Sequence, residues 1–151
     1  MPQTELTNMI MIRDPATGKV VVQDRVKSWK GYSFPGGHLE NGESIVDSVI
    51  REAYEETGLT VRNLRFCGMI HWSNHDTFDR YLVFLFRTED FSGELLPETD
   101  EGRNCWMDPG ILRELPSGND FPKYLPMFTE DRYCEAFGDW GDHDPLDIRY
   151  F

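Results

Sequence analysis

The sequence has 151 residues, of which 15 are basic and 27 acidic, for a formal net charge of −12. An apolar share of 39%, including ten Phe, six Tyr and four Trp, suffices for one domain around a single core and excludes an intrinsically disordered chain. The acidic balance opposes binding to a nucleic-acid polymer, which needs Lys and Arg against its phosphates, and it implies that a small phosphorylated substrate enters together with divalent cations.

Leu6 to Ile12 and Lys19 to Val26 read as strands, joined by the turn-forming Asp14-Pro15-Ala16-Thr17-Gly18. An aromatic, glycine-rich stretch from Trp29 ends in Phe34-Pro35-Gly36-Gly37, where paired glycines let the backbone approach a ligand or metal closely. Ser44 to Thr57 reads as a helix, with Ser44-Ile45-Val46-Asp47 resembling a capping box and Gly58 in place for a left-handed stop. At about 100° per residue, Ile45, Val46, Val49, Ile50 and Ala53 form one apolar stripe suited to packing on a sheet. Arg62 to His71 and Arg80 to Thr88 read as two more strands, the second apolar on both faces. Arg103 to Met107 reads as a short strand and Pro109 to Leu115 as a short helix, followed by a second long helix over Pro122 to Phe137, with Pro126 in its first turns. Strands on both sides of helices predict an α/β sandwich on a mixed sheet. Residues 1–137 are expected to form the domain. The acidic, aromatic residues 138–151 lack periodicity and are expected as a tail, packed on the domain or flexible.

Cys67, Cys105 and Cys134 are odd in number and widely spaced, which argues against a disulfide framework and for buried small hydrophobes. No apolar run approaches the length of roughly 18 residues that a membrane helix needs, and no signal-peptide pattern opens the sequence. No membrane partner and a cytoplasmic location are the expectation, for a monomer or a homodimer.

One face of the first helix resists a purely structural account. Glu52, Glu55 and Glu56 stand three and four residues apart and can converge, and the helical projection carries Glu56 to the edge of the apolar stripe. A carboxylate there is costly unless it is paired or holds a cation. Clustered carboxylates are hard oxygen donors that suit Mg²⁺, with Mn²⁺ as an alternative. His71 and His75 share an H-x-x-x-H spacing, but they fall on strand and loop and lack the glutamate of a zinc-protease helix. Asp142-His143-Asp144 could bind a metal adventitiously and is read instead as flexible tail.

The run Gly37-x5-Glu43-x7-Arg51-Glu52-Ala53-x-Glu55-Glu56-x-Gly58-Leu59 matches every position of the Nudix box, with Ala53 as its aliphatic member. On these residues and on the Phe34-Pro35-Gly36 entry, the chain resembles the Nudix hydrolases of MutT type over most of residues 5 to 136. The resemblance implies a Nudix-like α/β/α sandwich with a mixed β-sheet and a Mg²⁺-dependent enzyme acting on a phosphoric anhydride bond. It places Glu52 and Glu56 as principal metal ligands, Glu55 as a ligand or the general base, and the Gly36 carbonyl as a further oxygen ligand. Glu43 and Arg51 would hold the loop-helix-loop in shape, the arginine by orienting carboxylates. Glu101-Gly102-Arg103-Asn104-Cys105-Trp106 resembles the segment that supplies a distant metal-ligating or base glutamate, here Glu101, with Glu98 and Asp100 as competitors. Base recognition would fall to Ser33 and to Asn119-Asp120. Ser33 stands where the animal enzymes have asparagine, and only Asp120 keeps an acidic character. Trp29, Tyr32, Phe34 and Phe121 offer rings for stacking on a base, although the core is the favoured place for each.

The expected partner is therefore a small molecule linked through a nucleoside diphosphate. A nucleoside triphosphate pyrophosphohydrolase, with 8-oxo-dGTP yielding 8-oxo-dGMP and pyrophosphate, leads. A Nudix hydrolase of ADP-ribose, nucleotide sugars or dinucleoside polyphosphates is the alternative, followed by a Nudix-fold nucleotide-binding module without catalysis.

Overall fold

A computed structural model describes residues 1–26, 31–115, 121–141 and 147–151. The expectations for Trp29, Asn119, Asp120 and Asp142-His143-Asp144 fall outside these residues.

Among the described residues the strands form two larger sheets and a two-stranded ribbon. The larger is mixed and runs in the order β12-β11-β6-β7-β1-β4, formed by β1 (Thr4–Ile12), β4 (Gly36–His38), β6 (Arg65–Asn74), β7 (Arg80–Thr88), β11 (Glu135–Trp140) and β12 (Asp147–Tyr150). Within it β1 is parallel to β7 and β11 is parallel to β6, and the other neighbours are antiparallel. The smaller is antiparallel, in the order β3-β2-β10-β9, from β2 (Val20–Arg25), β3 (Gly31–Ser33), β9 (Glu98–Thr99) and β10 (Gly102–Met107). The ribbon pairs β5 (Thr60–Arg62) with β8 (Asp90–Ser92).

Strand alternation divides the core in two. Ile10 and Ile12 of β1 and Val21 of β2 join Val49 and Ala53 of helix α1 (Ile45–Thr57) in one cluster. Met11, Val20 and Val22 point the other way, to Phe121, Leu125 and Phe128 of helix α3 (Phe121–Thr129). With a period of two, neighbouring residues of one strand serve opposite layers, and an α/β/α sandwich results. A short helix α2 (Pro109–Leu112) links β10 to the second layer.

Helix α1 begins and ends where expected. The Ser44 hydroxyl accepts a hydrogen bond from the Asp47 amide at 3.0 Å, and Gly58, at φ 77°, donates back to the Tyr54 carbonyl at 2.9 Å. The predicted stripe is corrected in one place. Val46 faces solvent, 43% exposed, while Ser48 turns inward because Asn8 of β1 donates to its hydroxyl at 2.8 Å.

The largest correction concerns the C-terminal third. The helix expected over 122–137 stops at Thr129, and residues 135–140 form a strand parallel to β6. Residues 147–150 then pair with that strand, so the expected domain limit at 137 falls inside β11 and the final segment completes the main sheet. The inward residues of β11 are Ala136 and Gly138, and a Cβ on Gly138 would lie 2.2 Å from the Trp72 ring. A strand whose buried side chains must be this small carries no hydrophobic periodicity. The cysteines also divide: Cys67 is buried and its thiol is pushed up to about 11, Cys105 is half-buried and Cys134 is exposed.

Candidate active site

The carboxylates expected to act together sit on α1 and on the turn before β10, facing the Gly36-Gly37 strand. Arg51 organises them. Its Nε and Nη2 donate to the two oxygens of Glu43 at 2.7 and 3.0 Å, and Nη2 also donates to the His38 carbonyl at 3.1 Å. Nη1 donates to Glu52 at 2.9 Å and to Glu55 at 3.2 Å. One planar guanidinium thus ties the loop before the helix to two acidic side chains on it, a geometry that a lysine ammonium cannot reproduce. These bonds raise the Arg51 pKa and hold Glu43 below its ordinary value.

Glu56 turns away from this cluster and is 8% exposed. Its Oε2 accepts a hydrogen bond from the Gly36 amide at 3.0 Å. Burial pushes its carboxyl up to about 8. The Gly36 hydrogen bond acts against that rise, and nearby Glu52 and Glu101 add to it while Arg25 opposes it. Burial also raises Glu52, in spite of its bond to Arg51. A cation between these oxygens would relieve both.

The glycines are there to let this happen. A Cβ on Gly37 would lie 2.4 Å from the Glu52 carboxyl carbon, and one on Gly36 would lie 2.0 Å from the Asn8 carbonyl oxygen. The glycine strand therefore lies directly against the Glu52 carboxyl of the helix and against the backbone of β1, the close approach that the paired glycines anticipated.

Glu101 lies in the turn between β9 and β10, half-exposed, with its Oε2 3.9 Å from Arg25 Nη2. Its competitor Glu98 is exposed and pairs with Arg103 at 3.9 Å. Ser33, at the end of β3, is buried. Phe34 is 1% exposed and meets Phe121 and Phe128 edge-on at ring distances of 4.5 and 4.9 Å. Phe34 and Phe121 are thus core residues, the placement favoured for them over stacking on a base. His38 is exposed and contacts Glu5 at 3.1 Å. His71 pairs with Glu135 at 3.2 Å and His75 with Asp139 at 2.9 Å.

The convergence expected of Glu52, Glu55 and Glu56 is only partial. Glu52 and Glu55 lean to Arg51 while Glu56 leans to Gly36, so among the described residues no three acidic, His or Cys side chains gather at metal-ligand spacing. The donor set nonetheless fits a hard divalent cation, because a buried carboxylate with a single backbone donor has acceptor capacity to spare.

Three contributors lay outside the expectations. Asn8 accepts from the Gly37 amide at 3.3 Å as well as donating to Ser48, and so joins the glycine strand to α1. Asn104 donates to the Glu56 carbonyl at 2.7 Å. Arg25 lies 3.9 Å from Glu101 and within electrostatic reach of Glu56. Each is a polar residue at an inward position of a strand, the one signal that could have found them.

The comparisons agree with this geometry. The NUDIX domain family model matches residues 5–128. The uncharacterized Nudix hydrolase YvcI of Bacillus subtilis is 31% identical over 114 residues, 74% of this chain and 70% of that protein. The NAD-capped RNA hydrolase NudC of Pseudomonas aeruginosa is 35% identical over 95 residues, 62% of this chain but only 33% of that protein, so the chain spans about a third of its length. Among solved structures, the MutT protein from Bacillus halodurans superposes with a TM-score of 0.79 at 23% identity, covering 97% of both chains. With an intact box at the centre of that fold, the chain belongs to the NUDIX family of hydrolases, enzymes that cleave a diphosphate bond in nucleoside diphosphate-linked substrates.

Proposed function

We propose that the chain is a Mg²⁺-dependent nucleoside triphosphate pyrophosphohydrolase of MutT type, with 8-oxo-dGTP as the candidate substrate. The observation that carries the reading is the buried Glu56 carboxylate, held by the Gly36 amide beside Glu52 and within electrostatic reach of Glu101. Glu52, Glu56 and the Gly36 carbonyl would hold the cation, with Glu55 and Glu101 as further ligands. The cation, when bound, neutralises phosphate charge and orients the phosphates. Either Glu55 or Glu101 takes the proton of the attacking water, and Arg51 positions the acidic cluster. Ser33, Asn119 and Asp120 would contact the base, with Phe34 supporting Ser33 from the core.

The second reading is a Nudix hydrolase of ADP-ribose, a nucleotide sugar or a dinucleoside polyphosphate, and it draws on the likeness to NudC, whose name denotes action on NAD-capped RNA. The net charge of −12 favours a small substrate over an RNA chain. Retention of every box glutamate argues against a module without catalysis.

The test is a panel of 8-oxo-dGTP, dGTP, ADP-ribose and dinucleoside polyphosphates with Mg²⁺ or Mn²⁺, reading pyrophosphate and monophosphate release. Preferred turnover of 8-oxo-dGTP, abolished by Glu56→Gln, is the expected result. Equal turnover of dGTP and 8-oxo-dGTP removes the oxidised-base assignment. Activity unchanged in Glu55→Gln and Glu56→Gln removes the catalytic one.

A further inference from the structure

Helix α1 carries Ser48, Glu52 and Glu56 at intervals of four, and residues so spaced stand in one line along a helix. That line meets the glycine strand β4. The Glu52 carboxyl carbon lies 2.4 Å from where a Cβ on Gly37 would be, and Glu56 Oε2 accepts from the Gly36 amide at 3.0 Å. Opposed residues of an antiparallel pair alternate between those that exchange hydrogen bonds and those that do not. The Pro35 carbonyl accepts from the Ile10 amide of β1 at 2.9 Å. The next pair, Gly36 with Met9, is of the other kind, so Gly36 turns its backbone groups outward from β1, the amide to Glu56.

At the head of the line, Asn8 of β1 closes a relay between strand and helix. Its Oδ1 accepts from the Gly37 amide at 3.3 Å, its Nδ2 donates to Ser48 Oγ at 2.8 Å, and Ser48 Oγ donates to the Ile45 carbonyl at 2.5 Å. A backbone amide only donates and a carbonyl only accepts, so the two ends fix the direction of every bond between them. Both side chains are buried, Asn8 at 3% exposure and Ser48 at 0%. Ile10 and Ile12, on the same face of β1 as Asn8, share a core cluster with Val49 and Ala53 of α1, and an apolar pair at 8 and 48 would continue it. Replacing both partners of a buried hydrogen bond by apolar groups of like shape costs little stability. Packing therefore does not require this polar pair. What it adds is direction, because it fixes the rotation of α1 and so the aim of Glu52 and Glu56 at Gly36.

Resting on the reading of Glu52, Glu56 and the Gly36 carbonyl as ligands of the cation, we propose that Asn8 and Ser48 are positioning residues that set the affinity of the site for a divalent cation. They touch neither cation nor substrate. They hold the strand and the helix at one spacing before the cation arrives, so that little rearrangement opposes its binding. Groups that orient metal ligands are commonly worth roughly ten- to a hundredfold in affinity. Asn8 lies before the box and Ser48 at one of its unspecified positions, so the relay is an addition to the motif rather than a part of it.

The experiment titrates the full chain with Mn²⁺ alone, without nucleotide, and follows free Mn²⁺ by its electron paramagnetic resonance signal. It compares the parent with Glu56→Gln, Ser48→Ala and the double variant Asn8→Leu/Ser48→Ala. Unfolding of chelator-treated samples gives Tm, and steady-state kinetics give the nucleotide KM and the Mg²⁺ concentration at half-maximal rate. Ser48→Ala strands the Asn8 amide and should lower Tm, whereas the double variant removes both partners and should return Tm close to the parent's. In the double variant the expected Kd for Mn²⁺ is weaker by about tenfold or more, with half-maximal Mg²⁺ raised by a like factor and the nucleotide KM at saturating Mg²⁺ within about twofold of the parent's. A role in stability alone would leave the Mn²⁺ affinity where it was. A Kd within about threefold of the parent's in the double variant overturns the proposal, whichever way Tm moves. If the double variant does not fold, the Kd of Ser48→Ala decides by the same limits. A parent that binds no Mn²⁺, or whose binding survives Glu56→Gln, overturns the cation reading and the proposal with it. Binding lost in Glu56→Gln but unshifted in the double variant overturns the proposal alone.

Discussion

Replacing Glu56 by Gln in metal-free protein should change how stability depends on pH. Burial moves this carboxyl from its ordinary 4.5 to about 8. The folded state then keeps a proton that the unfolded chain releases across that window, so stability is greatest at the acid end and falls as pH rises toward 8. At about 1.4 kcal/mol per pH unit the loss from this one group is at most roughly 5 kcal/mol. That is a large share of the roughly 5–15 kcal/mol that holds a domain together. Glutamine keeps the shape and can still accept from the Gly36 amide, but it does not ionise. Burial raises Glu52 in the same direction in both proteins, so the difference between them isolates Glu56. Denaturant unfolding of chelator-treated protein from about pH 5 to about pH 9 measures it. The parent should lose several kcal/mol across the range while the Gln variant loses much less. Added Mg²⁺ should restore the parent at alkaline pH and leave the variant unmoved. Parallel curves for the two proteins, with or without cation, would refute the account of Glu56 as a carboxylate held ready for a cation.

Three further outcomes follow from contacts at the same site and at the sheet edge. Gly37→Ala puts a Cβ 2.4 Å from the Glu52 carboxyl carbon and must displace it, so steady-state kinetics should show a loss of ~10²-fold or more, with little change in Tm. Arg51→Lys keeps the charge and loses the fork that serves Glu43, Glu52, Glu55 and the His38 carbonyl. Activity should fall, and thermal unfolding should show Tm lower by roughly 5 °C. Removing residues 141–151 strips β12 from β11 and Ile148 and Tyr150 from the core they flank. Unfolding scans should register a Tm lower by roughly 10 °C, and a shortened chain as stable as the parent would return these residues to the status of a loose tail.

The parts of the fold that sequence reveals are those whose buried residues are large. Helix α1 could be read because its caps, Ser44 and Gly58, and its inward residues Val49 and Ala53 each signal the same element. Strand β7 was equally plain, since Val83, Leu85 and Phe86 are apolar and buried. β11 was missed because Trp72 occupies the space above it, so its inward positions had to be Ala136 and Gly138. Pro126, expected in the first turns of a helix running to Phe137, instead lies near the end of α3, which stops at Thr129 within a turn after it. Val46 failed for a different reason: the rotation of α1 is set by the hydrogen bond between Asn8 and Ser48, which links residues 40 apart and leaves no mark in local periodicity.

The same division runs through the site. Motif and helical spacing were enough to place Glu56 at the edge of the buried stripe, and its burial follows from that position. They were not enough to foresee that Glu52 and Glu55 would turn to Arg51, because helical spacing brings carboxylates near one another without saying which cation they meet. Arg51 bonds to four groups at once, and a Nudix-type site needs its carboxylates free to change partner when a divalent cation and a substrate arrive. Glu55, more than half exposed, is bound to that hub by a single contact at 3.2 Å, while Glu43 is held by two short ones. The weaker attachment leaves Glu55 the least tightly held of the carboxylates bonded to Arg51, in keeping with the role proposed for it as one of the two candidate bases. Glu43 is the anchor that keeps the arginine in place.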